Sequence, residues 1–400
     1  MPLTSTTFFV ACVLAAVALP VATLALWSRT RGPVPVRWAQ RLGLIVLCQV
    51  TALALVGTAV NNYFYFYSSW SDLLGGSQAG TLSSFGAAAP SAFPTSRADE
   101  TRAIVRARKA GDQLPGGGVV LNQTFVGPRT GLRTPALVYL PPQYFEAQYA
   151  HTRFPVVLLF PGYPGNPPIY FTQLPIDRIM QQEVAAGRAN PFVVVVVKET
   201  PLAPRDTECA NVPHGPQVET FLSQEVRAQV EKALRVRTDR QGWAMMGSST
   251  GGFCAVKMVM QHPTEYASAV GLSGYYHALL DRTTGALYGG SRRLRHENDV
   301  LWRLAHLPAP AVNVLATISA QERTYPQTVA RMRAAKPPLR LSTIVSPTGG
   351  HNPHTYGAVL PQAVDWVSRL FGPLRTSTAS LGALGSSTAT TASGPAARTP

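Results

Sequence analysis

Six apolar runs recur between Pro155 and Ser346: PVVLLF, PFVVVVV, GWAMMGS, ASAVGLS, VNVLATIS and LRLSTIVS. Short runs of this kind, rich in β-branched residues, suit strands buried on both faces. Parallel sheets need such strands because their crossover helices cover both sides. The stretches FTQLPIDRIMQQEVAAG, VETFLSQEVRAQVEKALRV, GGFCAVKMVMQHP and AVLPQAVDWVSRLF carry apolar residues at three- and four-residue spacing, the mark of amphipathic helices. Two earlier runs, VVLNQTFV and PALVYLP, read as an antiparallel start. The expectation is one α/β domain over residues 111–375, with a mostly parallel, doubly wound sheet of about eight strands. Ligands of such sheets bind beyond the carboxyl ends of the strands.

The chain ahead of this domain is of another kind. TFFVACVLAAVALPVATLALW from Thr7 to Trp27 and LGLIVLCQVTALALVGTAVNNYFYFY from Leu42 to Tyr67 carry no charge. Each is near the ~20 residues that cross a bilayer, so residues 1–70 are expected to form two transmembrane helices. Trp27, Trp38, Tyr63, Tyr65 and Tyr67 sit at their ends, where amphipathic rings meet headgroups. The loop between them carries Arg29, Arg31, Arg37 and Arg41. Positive-inside asymmetry puts that loop in the cytoplasm and the globular domain outside. A cleaved signal peptide is the competing reading of the first run, but it lacks a basic leading segment. Residues 71–110 read as a Gly/Ser/Ala/Pro-rich spacer followed by a basic segment, and residues 376–400 as a disordered tail.

The formal net charge is +15. The arginines are scattered rather than gathered into a stripe with aromatics between them, so nucleic acid is not an expected partner. No C-x-x-C pair occurs, so neither a zinc ribbon nor a thioredoxin-type motif is expected, and no metal or cofactor is implied. Outside the membrane, Cys209 and Cys254 become disulfide candidates, with two buried thiols as the alternative.

The stretch GWAMMGSSTGGFCAVKMVMQHP carries the chemistry. Gly247, Ser249 and Gly251 fit G-x-S-x-G between a strand and a helix, an arrangement that thrusts the serine hydroxyl to a helix N-terminus. The bland alternative is a β–α turn with a serine cap. No lysine follows the glycines where a P-loop needs one. A serine needs a base, and in this architecture the order is serine, acid, histidine. His351 lies in SPTGGHNPHTYG, after the last strand and beside a glycine pair, with His354 as its rival. Glu322, just after VNVLATIS, is the candidate acid that would fix the imidazole tautomer. Asp281 and Asp299 are weaker candidates, and His262 reads as a helix cap. Oxyanion donors are expected from the backbone amides of Thr250 and of Tyr163 in the loop PGYPG, with Gly162 next.

Assembled, ALVYLPPQYF, LLFPGYPG, GSSTGGFCAVKMVMQHP, ISAQE and GGHNPHTYGAVLPQAVDWV resemble the α/β-hydrolase esterases that include esterase D and the secreted mycolyltransferases. RDTECANVPHGPQVETFL is similar to extracytoplasmic actinobacterial members with spans ahead of the hydrolase. The resemblance implies a serine esterase or acyltransferase with Ser249, Glu322 and His351 as triad. Its expected substrates are small-molecule, lipid or glycolipid esters, and the membrane is its expected surroundings. PGYPG departs from the family in lacking a His or Asp before its first Gly, and the secreted mycolyltransferases lack the spans. A non-catalytic envelope-binding protein that keeps the fold is the reading from a different class.

Overall fold

The computed structural model describes residues 5–64, 70, 90–112, 114, 116–320, 325–347 and 349–374. Glu322, the rings of Tyr65 and Tyr67, most of the expected spacer and the expected tail lie outside the described residues.

Two helices open the chain, α1 (Thr6–Trp27) and α2 (Val34–Phe64). Both are long and apolar enough to cross a membrane. They run antiparallel, and small polar groups face one another between them. Thr23 Oγ1 lies 3.2 Å from Cys48 Sγ, and Cys12 Sγ lies 3.9 Å from Thr58 Oγ1. At the connecting loop Arg41 donates to Thr30 Oγ1 at 3.2 Å and places its guanidinium over the Trp27 ring. Such contacts between small residues and hydroxyls suit helix pairing in lipid, where apolar burial drives nothing.

The remaining described chain builds a nine-stranded sheet. Its strands are β1 (Ser91–Ala92), β2 (Val119–Val126), β3 (Arg133–Leu140), β4 (Val156–Phe160), β5 (Val193–Val197), β6 (Trp243–Ser248), β7 (Ser268–Leu272), β8 (Asn313–Ser319) and β9 (Arg340–Ser346). The spatial order is β1-β2-β3-β5-β4-β6-β7-β8-β9. β2 and β3 form an antiparallel hairpin, β3 meets β5 antiparallel, and every neighbour from β5 to β9 is parallel. The ninth strand, beyond the eight expected, is β1. It pairs parallel to β2, and Phe93 just beyond it stacks on Phe125 with ring centroids 4.2 Å apart. Two residues have no readable alternation, so a strand this short is invisible to a pattern argument.

Burial on both faces follows the two-residue period of the strands. Val193, Val195 and Val197 of β5 enter one apolar cluster, while Val194 and Val196 enter the other. Helices α3 (Arg97–Lys109), α5 (Val226–Ala233) and α6 (Thr250–Gln261) cover the first face, and α4 (Ile176–Ala185) and α10 (Pro353–Phe371) the second. Between β7 and β8 an excursion carries α7 (Arg292–Glu297) and α8 (Val300–His306), and α9 (Tyr325–Arg333) precedes β9. With β4, β6, β7, β8 and β9 side by side and parallel, the loops that follow them gather at one rim.

Candidate active site

β6 reaches that rim and turns at once into α6. The turn residue, Ser249, sits at φ +55° and ψ −122°. A non-glycine residue pays roughly 1–3 kcal/mol for such a conformation, so its surroundings must enforce it. They do so by close approach. A Cβ on Gly251 would lie 2.2 Å from the Phe160 carbonyl oxygen, and one on Gly247 2.4 Å from the Gly251 backbone. Both obstacles are backbone and cannot swing aside. The Ser249 amide donates to Leu272 O at 2.9 Å, and its carbonyl accepts the first helical bond from Phe253 at 3.0 Å. The hydroxyl therefore stands at the amino end of α6, whose first amides have no intrahelical acceptor and carry the positive end of the helix dipole.

His351 meets this hydroxyl from β9. Its Nε2 lies 2.7 Å from Ser249 Oγ. The loop that carries it is fixed on both sides. Gly349 adopts φ +117°, and a Cβ there would press on Thr355 Oγ1 at 2.5 Å. Asn352 caps α10, its Oδ1 accepting from the Thr355 amide at 3.0 Å. Ser319 at the end of β8 donates to Gly349 O, which ties this loop to the strand that precedes Glu322. The Tyr356 ring meets the imidazole edge-on at 5.6 Å. His354, exposed in the first turn of α10, is not the ring that reaches Ser249.

The loop after β4 packs directly on the serine. A Cβ on Gly162 would fall 2.9 Å from Ser249 Cβ. Tyr163 follows, and its hydroxyl donates to Pro204 O at 2.7 Å. The other acids and the helix-end histidine have local duties. Asp281 accepts from the Thr283 hydroxyl and amide at 2.6 and 2.7 Å, which holds its pKa below the usual range. Asp299 caps α8 by accepting from the Trp302 amide at 2.8 Å. His262 ends α6 and binds Glu219. Burial works against its proton, yet the carboxylates of Glu219 and Glu265 raise its pKa to about 9.

Sequence reasoning did not find the charged cluster behind the serine. Glu208 is buried, as are Asp206 and Glu199. Glu208 Oε2 lies 2.6 Å from the Tyr275 hydroxyl, which in turn lies 3.1 Å from Thr250 Oγ1, in the residue next to Ser249. The Lys257 ammonium, fully buried, donates to Glu208 O at 2.7 Å, Cys209 O at 2.9 Å and Asn298 Oδ1 at 3.0 Å. Cys209 and Cys254 are joined by a disulfide. Burial lowers the lysine pKa to about 8, against the pull of Glu219, Glu208 and Asp206. Burial and then the Asp206 carboxylate raise that of Glu208 to about 8. Glu199 keeps both carboxyl oxygens buried without a hydrogen-bond partner among the described residues, and burial raises its pKa well above the usual value. The segment RDTEC has no apolar run or periodicity that would mark its carboxylates as buried.

A strained serine between a parallel strand and a helix, met by an imidazole from the loop after the last strand, defines an α/β-hydrolase architecture. The chain belongs to the esterase family described as "Putative esterase", which matches residues 127–361. It is 24% identical over 247 residues to an uncharacterized protein of Corynebacterium glutamicum, a match covering 59% of this chain and 57% of that protein. The chain thus spans little more than half the length of that curated relative. Among solved structures it is similar to a ferulic acid esterase, with a TM-score of 0.54, 20% identity, and coverage of 63% of this chain and 98% of that one. It is also similar to an S-formylglutathione hydrolase from Agrobacterium tumefaciens, with a TM-score of 0.55, 14% identity, and coverage of 65% and 98%. A fluorophosphonate-binding serine hydrolase of Staphylococcus aureus gives 0.51, 16%, and 64% and 99%. These likenesses show the fold.

Proposed function

We propose that the chain is a membrane-anchored serine esterase whose catalytic domain lies outside the cytoplasm, with Ser249 as nucleophile, His351 as general base and Glu322 as the acid that orients the imidazole. The observation that carries this reading is the 2.7 Å contact between Ser249 Oγ and His351 Nε2. A neutral imidazole at that distance accepts the hydroxyl proton as Oγ attacks the ester carbonyl. The developing oxyanion falls at the amino end of α6. There the amides of Thr250 and Tyr163 are the candidate donors, each of a kind that contributes ~10²–10³ in rate. His351 then gives the proton to the departing alkoxide, leaving an acyl-serine. Water attacks that ester by the same relay in reverse and completes hydrolysis. Should a sugar or lipid hydroxyl replace water, the same acyl-enzyme would perform acyl transfer.

Fluorophosphonate labelling of membranes tests the nucleophile. Wild-type protein is expected to label and Ser249→Ala to stay blank. Persistent labelling in the mutant would reject Ser249. Hydrolysis of p-nitrophenyl esters is expected to drop by about 10⁴ or more in Ser249→Ala and His351→Ala. A Glu322→Gln protein with near-full kcat would remove Glu322 from the triad. Adding trehalose as acceptor, with graded acyl lengths, separates hydrolysis from transfer.

A further inference from the structure

Helix α6 is tied to the loop around Glu208 at three points on one face. Thr250 reaches it through Tyr275, Cys254 through the disulfide to Cys209, and Lys257 through the carbonyls of Glu208 and Cys209. Positions 250, 254 and 257 are successively four and three residues apart, the spacing that stacks side chains along one face of a helix. Tyr275, from the segment after β7, also packs on α6, its ring stacked on Phe253 with centroids 5.3 Å apart. Glu208 itself adopts φ +49° and Cys209 φ +51°, so two successive non-glycine residues hold a rarely occupied conformation to present this carboxylate inward. Its second oxygen accepts from the Leu279 amide at 3.2 Å, in the loop after β7. A buried carboxylate with such an arrangement is more than filler, because a glutamine or an apolar side chain would avoid its desolvation.

We propose that Glu208 is a positioning residue for the Ser249 turn: through the Tyr275 hydroxyl it holds Thr250, and with Thr250 the first turn of α6. This rests on the reading of Ser249 as nucleophile. The Tyr275 hydroxyl has one proton for two neighbours. When Glu208 is ionised it can only accept, so Tyr275 donates to it and the Thr250 hydroxyl donates to Tyr275. When Glu208 is protonated the chain can run the other way, and Thr250 becomes an acceptor. The direction of the relay beside the nucleophile is therefore set by one carboxyl group. The charged and titratable groups around that carboxyl are Asp206 on its own loop, Lys257 from α6, Tyr275 and Tyr288 from the excursion, and Glu199 after β5. Burial and Asp206 place its ionisation at about 8, within reach of an activity profile.

The test measures p-nitrophenyl ester hydrolysis and fluorophosphonate labelling rates against pH, using the full chain in detergent micelles. Glu208→Gln and Tyr275→Phe are each expected to lower kcat by about tenfold, the loss of one hydrogen bond to a charged group, with KM changed less than about twofold. The wild-type rate is expected to rise through an inflection near 8 that Glu208→Gln lacks. The double variant should be no worse than the poorer single, since both act through one relay. A Glu208→Gln protein with the wild-type kcat and pH profile overturns the proposal, and so do losses that add in the double variant. If Glu208→Gln fails to fold, Tyr275→Phe keeps the question open to decision, because it retains the ring on Phe253 and removes only the hydroxyl. Ser249→Ala run in parallel separates the two readings: labelling that survives it sinks the nucleophile, whereas a blank Ser249→Ala with an unaffected Glu208→Gln sinks the relay alone.

Discussion

At the scale of single residues, the site is made by what cannot be larger. Gly251 leaves no room for a methyl group, because the Phe160 carbonyl would stand 2.2 Å from it. Gly251→Ala must push β4 away from α6, and overpacking of this kind costs about 1–3 kcal/mol. It is expected to lower Tm and, by shifting Ser249 against His351, to lower kcat far more than the stability loss alone would. An unchanged melting curve would contradict the close packing described above. His262 supplies a second residue-scale prediction. Its folded pKa, about 9, lies above the ordinary histidine value of 6.5. Its bond to Glu219 therefore stabilises fully below about pH 6.5 and fades as pH rises through 9. Hydrogen bonds to charged groups contribute ~1.5–3 kcal/mol. Denaturant unfolding of wild type should show stability falling by an amount of this order between those pH values, with a flatter dependence in His262→Gln. Parallel curves for the two proteins would remove His262 as the source.

At the scale of elements, legibility follows burial. The parallel strands β4 to β8 could be read from sequence because both faces are buried, which leaves long unbroken apolar runs such as VVVVV. The turn at Ser249 could be read because its glycines are a steric necessity and its flanks have opposite periods. The glycine pair likewise separated His351 from His354 on backbone grounds. The loop holding Asp206 and Glu208 was illegible, because polar residues in a loop suggest solvent. Its burial is a tertiary result, imposed by the disulfide to α6 and by Lys257. The disulfide closes a loop across 45 positions of sequence. Removing a bridge of this kind commonly costs about 2–5 kcal/mol. The double variant Cys209→Ala with Cys254→Ala is expected to melt lower by a corresponding amount, and wild type in excess dithiothreitol should approach the same Tm. A wild-type Tm indifferent to reductant, with the bridge shown to be open by thiol counting, would mean the tie adds nothing to stability.

At the scale of the whole molecule, the strongest constraint is where charge sits relative to the two apolar helices. Arginines gather where α1 meets α2: Arg29 and Arg31 lie in the connecting loop, Arg37 and Arg41 near the start of α2, and Arg41 folds onto Trp27 at the end of α1. Arginines in a loop this short resist translocation. The proposed arrangement, that loop in the cytoplasm and two spans, would turn Ser249 and the rest of the α/β domain outward. The native thiols make this testable with little background: Cys12 and Cys48 lie within the apolar helices, and Cys209 and Cys254 are bridged. A cysteine placed at Leu280, exposed in the loop after β7, should react with a membrane-impermeant maleimide in intact cells. One placed at Thr30, in the loop between the helices, should react only after the membrane is permeabilised. The same orientation would give the disulfide its oxidising surroundings. The reverse pattern, with Thr30→Cys labelled in intact cells and Leu280→Cys protected, would place the domain in the cytoplasm. Thiol reductants there would keep Cys209 and Cys254 apart, and the loop bearing Glu208 would lose its tie to α6.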